Sequence, residues 1–171
     1  MKQLTLLRHA KSSFDDQRLE DFNRPLNLRG WKAARRIGRE LKDRGIHFDV
    51  VLASTAARVR ETIDGVQETY DFGAPIQFEQ RIYEASEEIL FELVRSLPES
   101  AGSVLLVGHN PGLERLIVEL THDEGMGLRH RVIGKFPTAG LAAIRLPAEG
   151  WRNVEPGSGK IVDLIFPKEL D

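Results

Sequence analysis

Three short, almost wholly apolar runs constrain the fold of this 171-residue chain more than any other feature. They read QLTLL (3–7), DVVLAS (49–54) and SVLLVG (103–108). Apolar runs without regular polar positions are typical of parallel strands that are covered on both faces. Segments with apolar residues at helical spacing lie between them, as in residues 28–45. This alternation predicts an α/β fold of three layers, α/β/α, with a mostly parallel central sheet.

The last part of the chain has a different pattern. GLAAIRL (140–146) and GKIVDLIF (159–166) read as two strands, and a Gly- and Pro-bearing segment without a helical pattern separates them. Strands that follow each other without a crossover helix pair antiparallel, so we expect an antiparallel strand at one edge of the sheet. Residues 122–137 are expected to be irregular. With no repeat and no linker, residues 1–171 are predicted to form a single domain.

Composition excludes several classes of protein. The chain has no cysteine, which rules out disulfide scaffolds, thiolate zinc sites and cysteine nucleophiles. Its net charge is only −2, so the chain has no overall positive field that would attract a nucleic acid or an anionic membrane. No run approaches the roughly 20 apolar residues of a membrane span, and the N-terminal run is too short for a signal peptide. We therefore expect a cytoplasmic protein without nucleic-acid or membrane partners.

The chemistry is expected at the carboxyl ends of the three apolar strands, where sites form in open parallel sheets. The strands end in RHAKSS, ASTAARVRET and VGHNPG. If they are neighbours, four residues converge at one edge: Arg8, His9, Arg58 and His109. The alternative for Arg58 is an ion pair on a helix surface with Glu61 or Glu114.

This residue set favours phosphoryl chemistry over other reaction types. The two arginines would repel a metal cation, and no HExxH pair is present. A serine triad lacks the G-x-S-x-G turn, and GHNPG is not a phosphate-binding P-loop. Arginine forks match the oxygens of a tetrahedral anion, and a neutral histidine can act as the nucleophile. The residues therefore indicate a phosphohydrolase.

The same stretches carry a family resemblance that covers essentially the whole chain. LLRHAKSS resembles the Arg-His motif of the histidine phosphatase superfamily, which has the phosphoglycerate mutase-like fold. The further motifs, in the expected order, are RPLNLRG (24–30), ASTAARVRET (53–62), YEAS (83–86), VGHNPGLE (107–114) and FPTAGLA (136–142). The short length and the first two motifs are most similar to SixA-type phosphohistidine phosphatases.

The resemblance implies a role for each core residue. His9 would be the nucleophile and would form a phosphohistidine intermediate that water hydrolyses. Arg8 and Arg58 would clamp the phosphoryl oxygens, and His109 would donate a further hydrogen bond to them. No metal and no other cofactor would be required. Ala10 stands where many relatives have glycine.

Three further residues are weaker candidates. Glu84 stands at about the place where larger relatives have a glutamate general acid, although some small relatives do without one, and a structural role is its alternative. Ser12 is a candidate for phosphate binding or a plain loop residue. Arg24 is a candidate for substrate binding, expected at the rim or just behind the site, where it would fix the loop after the first strand.

The sequence leaves three functions open. The first is hydrolysis of phosphohistidine on a protein, which an open site would suit. The second is hydrolysis of a small phosphate ester, such as a sugar phosphate or nucleotide-like ester, which an acid at Glu84 would favour. The third is a phosphate-recognition module without turnover, against which the intact set of Arg8, His9, Arg58 and His109 speaks.

Overall fold

The computed structural model describes residues 1–123 and 127–170. In these residues the chain forms six strands and five α-helices, with short 3₁₀ turns between some of them. The strands are β1 (Lys2–Arg8), β2 (Val50–Ala53), β3 (Ile76–Phe78), β4 (Ser103–Gly108), β5 (Leu141–Leu146) and β6 (Lys160–Ile165). The helices are α1 (Leu28–Asp43), α2 (Ala57–Gln67), α3 (Glu87–Arg95), α4 (Gly112–Leu120) and α5 (Leu128–Val132).

All six strands belong to one sheet in the order β3-β2-β4-β1-β5-β6. The first four are parallel to one another, whereas β5 is antiparallel to both β1 and β6. The predicted mostly parallel sheet with a late antiparallel pair is thus confirmed. The antiparallel strand, however, lies one place in from the edge, because β5 pairs directly with β1 and β6 then returns on its outer side.

Two separate apolar cores cover the two faces of the sheet, which confirms the three layers. Leu4 and Leu6 of β1 point into the core that α3 and α4 complete. Leu7 of the same strand points into the core beneath α1 and α2. The central strands are apolar throughout because successive side chains enter opposite faces and both faces are buried.

Most helix ends follow from the sequence. The hydroxyl of Ser86 accepts a hydrogen bond from the backbone N–H of Ile89 and caps α3, a position that serine favours. Gly45 follows α1 with a φ of 64°, a conformation that glycine adopts freely. The sequence places Pro111 at the first position of α4, whereas the helix begins one residue later. Among the described residues, no helix is long and apolar enough to cross a membrane.

The segment 122–137, expected to be irregular, contains the short helix α5. Five residues are too few to show a helical period, so the sequence pattern could not reveal this element. Residues 124–126 of the same segment lie outside the described residues.

Candidate active site

The site lies where three neighbouring strands end. In the register of the sheet Arg8 is opposite Gly108, and Ala53 is opposite Val107. The chain therefore leaves β1, β2 and β4 at the same level. The residues that follow these strand ends are His9, Ser54 and His109. The convergence of the strand ends follows from the sheet order β2-β4-β1, which makes them direct neighbours.

The imidazole of His9 has a defined orientation. Its Nδ1 lies 2.7 Å from the carbonyl oxygen of Ala10, and because a carbonyl only accepts, Nδ1 carries the proton and donates it. Nε2 then holds the free electron pair, and it accepts a hydrogen bond from Nε of Arg58 over 3.4 Å. The nitrogen that could attack a phosphorus atom thus faces a guanidinium group.

His9 is neutral at physiological pH. The pKa of His9 is lowered to about 4, foremost by burial and also by the positive charges of Arg58 and Arg8, while the hydrogen bond to Ala10 acts in the opposite direction. Only 7% of the residue is exposed to solvent. A neutral imidazole is the form in which histidine is nucleophilic.

An acidic residue from the loop after β1 holds Arg58. Nη1 of Arg58 donates to the carbonyl oxygen of Asp21 over 2.8 Å, and Nη2 donates to Oδ2 of Asp21 over 3.1 Å. The hydroxyl of Tyr83 donates to the same Oδ2 over 2.6 Å. This hydrogen bond, with the cations nearby, lowers the pKa of the Asp21 carboxyl to about 2. Asp21 is therefore an anion that fixes the plane of the guanidinium.

The suggested surface ion pairs of Arg58 are wrong. Arg58 is buried, and the two glutamates accept hydrogen bonds from backbone N–H groups instead. Glu61 accepts from the N–H of Leu26, and Glu114 accepts from the N–H of Phe136. The sequence signals singled out neither Asp21 nor the hydroxyl of Tyr83, because neither follows a strand end.

His109 stands beside His9, with 5.3 Å between the ring centroids. Its Nε2 lies 2.8 Å from Oγ of Ser54. That oxygen accepts from the N–H of Ala56, so the hydroxyl hydrogen is available for Nε2. When this hydroxyl donates to Nε2, Nδ1 carries the ring proton; this buried atom has no hydrogen-bond partner among the described residues. It is an unused donor in the site.

The charge state of His109 fits this role. Its pKa is lowered to about 3, foremost by burial and also by the neighbouring His9 and Arg58. The ring is therefore neutral at physiological pH and keeps one N–H. A neutral N–H group can still stabilise an oxyanion as a hydrogen-bond donor.

Arg8 reaches the same place from the end of β1. Its Nη1 donates to the carbonyl oxygen of Phe136 over 3.0 Å, an oxygen that Nδ2 of Asn110 also contacts. Its Nε is buried and has no partner in the described part of the chain. Burial lowers the pKa of Arg8, and Arg58 adds to this effect, whereas Glu114 opposes it. The free N–H groups of Arg8 remain available for an anion.

Arg24 and Ser12 contact each other rather than His9. Nη1 of Arg24 donates to Oγ of Ser12 over 2.8 Å, and its Nε donates to Oδ1 of Asp21 over 3.1 Å. Arg24 thus connects the loop after β1 to the carboxylate that holds Arg58, and its part in substrate binding stays a prediction. The Ser12 hydroxyl is already engaged by Arg24.

Glu84 lines the mouth of the site. A cleft of about 440 Å³ opens next to Arg58 and His109, and Asp21, Tyr83 and Glu84 form part of its wall. Glu84 is exposed and has a φ of 57°, which is unusual for a residue other than glycine. The cleft gives a substrate access to the site from the side of α3 and α4.

These donors define the class of site. Two guanidinium groups and the N–H of His109 surround an unprotonated histidine nitrogen, an arrangement suited to a tetrahedral oxyanion that is transferred to that nitrogen. Among the described residues, no group of three or more His, Cys, Asp or Glu side chains could hold a metal ion. The fold and site are those of a phosphoryl-transferring α/β enzyme.

Comparison with known proteins identifies the family. Residues 4–92 match the histidine phosphatase superfamily (branch 1). An uncharacterized protein of Mycobacterium tuberculosis is 33% identical over 164 residues, which cover 95% of this chain and 100% of the relative. The chain belongs to the histidine phosphatase superfamily, and the resemblance of its motifs is confirmed.

Solved structures agree with this assignment. A candidate phosphohistidine phosphatase SixA from Agrobacterium tumefaciens is 31% identical and superposes with a TM-score of 0.81, over 97% of this chain and 98% of that one. A SixA protein histidine phosphatase in complex with tungstate has the same fold, with a TM-score of 0.81 at 21% identity over 99% of both chains. The protein is therefore a phosphatase, rather than a phosphate-recognition module without turnover.

Proposed function

We propose that this phosphatase removes the phosphoryl group from phosphohistidine on a protein, without a metal ion, through a covalent intermediate on His9. The observation that carries the proposal is the tautomer of His9: Nδ1 donates its hydrogen to the carbonyl oxygen of Ala10, and the unprotonated Nε2 faces Arg58. The whole chain, residues 1–171, would act as one domain. A cytoplasmic location and the lack of nucleic-acid or membrane partners stay predictions of the sequence.

In the first step the electron pair on Nε2 of His9 attacks the phosphorus atom. The bond between phosphorus and the substrate's ring nitrogen breaks, and that nitrogen keeps the electron pair. Arg58 has two N–H groups beyond those bound to His9 and Asp21, and with Arg8 and Nδ1 of His109 they bind the phosphoryl oxygens. The hydrogen bond from Arg58 to Nε2 is replaced by one to a phosphoryl oxygen.

In the second step a water molecule attacks the phosphorus of phospho-His9. The bond between Nε2 and phosphorus breaks, the electron pair returns to Nε2, and inorganic phosphate leaves with the oxygen of the water. The proton of the water passes to phosphate or solvent. Because His9 is held neutral by burial, Nε2 is ready for another cycle without deprotonation.

The leaving group supports a phosphohistidine substrate. An imidazole whose second nitrogen is protonated leaves as a neutral molecule, so it needs little help from a general acid. An alkoxide leaving group does need such help, typically worth about 10²–10⁴-fold. None of the four central residues is an acid at neutral pH. The likeness to the Agrobacterium tumefaciens protein, described as a candidate phosphohistidine phosphatase, also supports this substrate.

Hydrolysis of a small phosphate ester is the second candidate. It is favoured by Glu84, which lines the same cleft as Arg58 and His109 and would supply the missing acid. Proteins with ester substrates in their descriptions, such as an α-ribazole-5′-P phosphatase from Escherichia coli, share the fold at 18% identity and a TM-score of 0.70.

One experiment separates the two candidates. Turnover of a phosphohistidine peptide and of a panel of phosphomonoesters is measured for the wild type and for Glu84→Gln, each with and without EDTA. We expect the peptide to be the better substrate, with little change in its turnover on Glu84→Gln or EDTA. Preference for an ester that Glu84→Gln abolishes would establish the second candidate instead, and loss of activity in EDTA would refute the metal-free mechanism.

A further inference from the structure

A second cleft opens at the same edge of the sheet, on the other side of His9. It has a volume of about 300 Å³ and lies between the start of α1, the loop before β5 and the end of β6. Four cationic side chains surround it: Lys11, Arg29, Lys135 and Lys168. Between them the wall is apolar, with Ala33, Pro137 and Phe166 among its residues. We refer to this feature as the basic cleft.

The basic cleft is adjacent to the nucleophile through the chain itself. Lys11 is two residues after His9, a distance that even an extended backbone limits to about 7 Å. On the opposite wall Thr138 precedes Ala139, whose N–H lies 3.0 Å from the carbonyl oxygens of both Arg8 and His9. The wall of the cleft thus begins within two residues of the nucleophile, within reach of a macromolecule that presents a phosphoryl group to His9.

Among the described residues, the four cationic side chains of the basic cleft make no polar contacts that would stabilise the fold. All four are exposed, and none makes a side-chain hydrogen bond or an ion pair within residues 1–123 and 127–170. Glu169, the acidic residue of the cleft, is already paired with Arg131. Arg29 also occupies the first turn of α1, where the helix dipole favours an acid over a base.

The two sides of the active site differ in charge. The cleft beside Arg58 has the carboxylates of Asp21 and Glu84 and the cations Arg58 and Arg115 in its wall. The described residues of the basic cleft, by contrast, include four cations and only one acid, Glu169. An acidic ligand is therefore attracted more strongly to the side of the basic cleft. Such asymmetry orients a partner and raises its association rate.

We propose that the basic cleft docks an acidic segment of the phosphoprotein whose phosphohistidine donates its phosphoryl group to His9. The proposal rests on the proposed function and names the chemistry of its partner: carboxylate side chains near the phosphohistidine, with apolar groups against Pro137 and Phe166. A small ester such as p-nitrophenyl phosphate carries no acidic segment, so it is not expected to depend on the four cations. Changes in the charge of the cleft should therefore alter KM, and the salt dependence of kcat/KM, for protein substrates alone.

The test uses two phosphohistidine peptides, one with four glutamates near the phosphohistidine and one with glutamines in their place, together with p-nitrophenyl phosphate. A triple variant, Arg29→Glu, Lys135→Glu and Lys168→Glu, reverses the charge of the cleft and leaves Lys11 in place. The matched control, Arg39→Glu, Lys42→Glu and Arg152→Glu, makes the same change in net charge with exposed residues that belong to neither cleft.

For the wild type we expect kcat/KM to be at least fivefold higher for the acidic peptide, through KM, and to fall with added salt. The triple variant should lose this preference and its salt dependence, while its activity on p-nitrophenyl phosphate stays within twofold; the control should keep both. Equal turnover of the two peptides by the wild type, or a preference that survives in the triple variant, would overturn the docking proposal and leave the proposed function standing. If neither peptide is turned over while p-nitrophenyl phosphate is, the proposed function is wrong and the docking proposal falls with it.

Discussion

Arg58 donates its Nε–H to Nε2 of His9 over 3.4 Å, and its two terminal nitrogens donate to Asp21. One guanidinium group is thus fixed on both sides, by the candidate nucleophile and by a carboxylate. Two of its five N–H groups remain free beside Nε2. This arrangement holds two N–H donors in place to bind the oxygens of an incoming phosphoryl group.

Arg58→Lys should lower kcat/KM about 10²–10³-fold, the loss typical of an oxyanion-binding donor. Lysine keeps the charge but has no planar fork, so it cannot bind His9, Asp21 and a phosphoryl oxygen together. Steady-state kinetics measure the effect. Arg60→Lys is the matched control on the same helix, because Arg60 is exposed and donates to the carbonyl oxygen of Thr55. Arg58→Lys with the activity of that control would refute the role of the fork.

Asp21→Asn should lower kcat/KM about tenfold, because the loss of the negative charge weakens the hydrogen bonds that orient Arg58. Tyr83→Phe, which removes the hydroxyl bound to Oδ2 of Asp21, should have a smaller effect in the same direction. The double variant should resemble Asp21→Asn, since both changes act on one network. Fully additive losses in this double-mutant cycle would show that the two residues act independently.

Ser54→Ala should lower kcat several-fold. Without the hydroxyl, Nε2 of His109 has no donor to accept from, and the ring proton is free to move from Nδ1 to Nε2. The site then loses a neutral N–H donor. Ser103→Ala, a change at a serine whose hydroxyl donates to the carbonyl oxygen of His47, is the control. NMR of the imidazole nitrogens reports the tautomer directly, and an unchanged tautomer in Ser54→Ala would contradict this account.

The stability of the protein should fall as the pH is lowered from about 6.5 to about 4. The folded-state pKa values of His9 and His109, about 4 and about 3, lie below the value of about 6.5 in an unfolded chain. Between these values the unfolded state binds more protons, so lowering the pH favours unfolding.

For the two groups together the slope reaches about 2.7 kcal/mol per pH unit. Urea unfolding at several pH values measures it. The variant His9→Gln with His109→Gln should lose most of this slope while it keeps the contribution of the carboxyl groups. An equal slope in wild type and variant would mean that the histidines are not held neutral.

The central elements of the fold were accessible from sequence because they follow one simple rule. Strands buried on both faces are continuously apolar, so β1, β2 and β4 stand out, and their carboxyl ends indicate the positions of Arg8, His9 and His109. Arg58 follows from the same rule, since it lies in the first turn of the helix after β2. Hydrophobic periodicity and the ends of the strands thus identify the side chains that the backbone itself places in the site.

The remaining part of the site depends on contacts that no local pattern encodes. Asp21 comes from the long polar loop after β1, and only the folded chain shows that its carboxylate meets Arg58 and Tyr83. The tautomer of His109 depends on its contact with Ser54, which no sequence pattern indicates. The place of β5 beside β1 likewise depends on packing, because an antiparallel pair alone does not say which member is outermost.

The most direct test of the account is to trap the phosphoenzyme. The enzyme is mixed with a ³²P-labelled phosphohistidine peptide, quenched within milliseconds under alkaline conditions, and digested for mass spectrometry. We predict an acid-labile, alkali-stable phosphoryl group on Nε2 of His9, absent from His9→Ala, which should have lost turnover as well. A label on another residue, or full turnover by His9→Ala, would contradict the proposed mechanism.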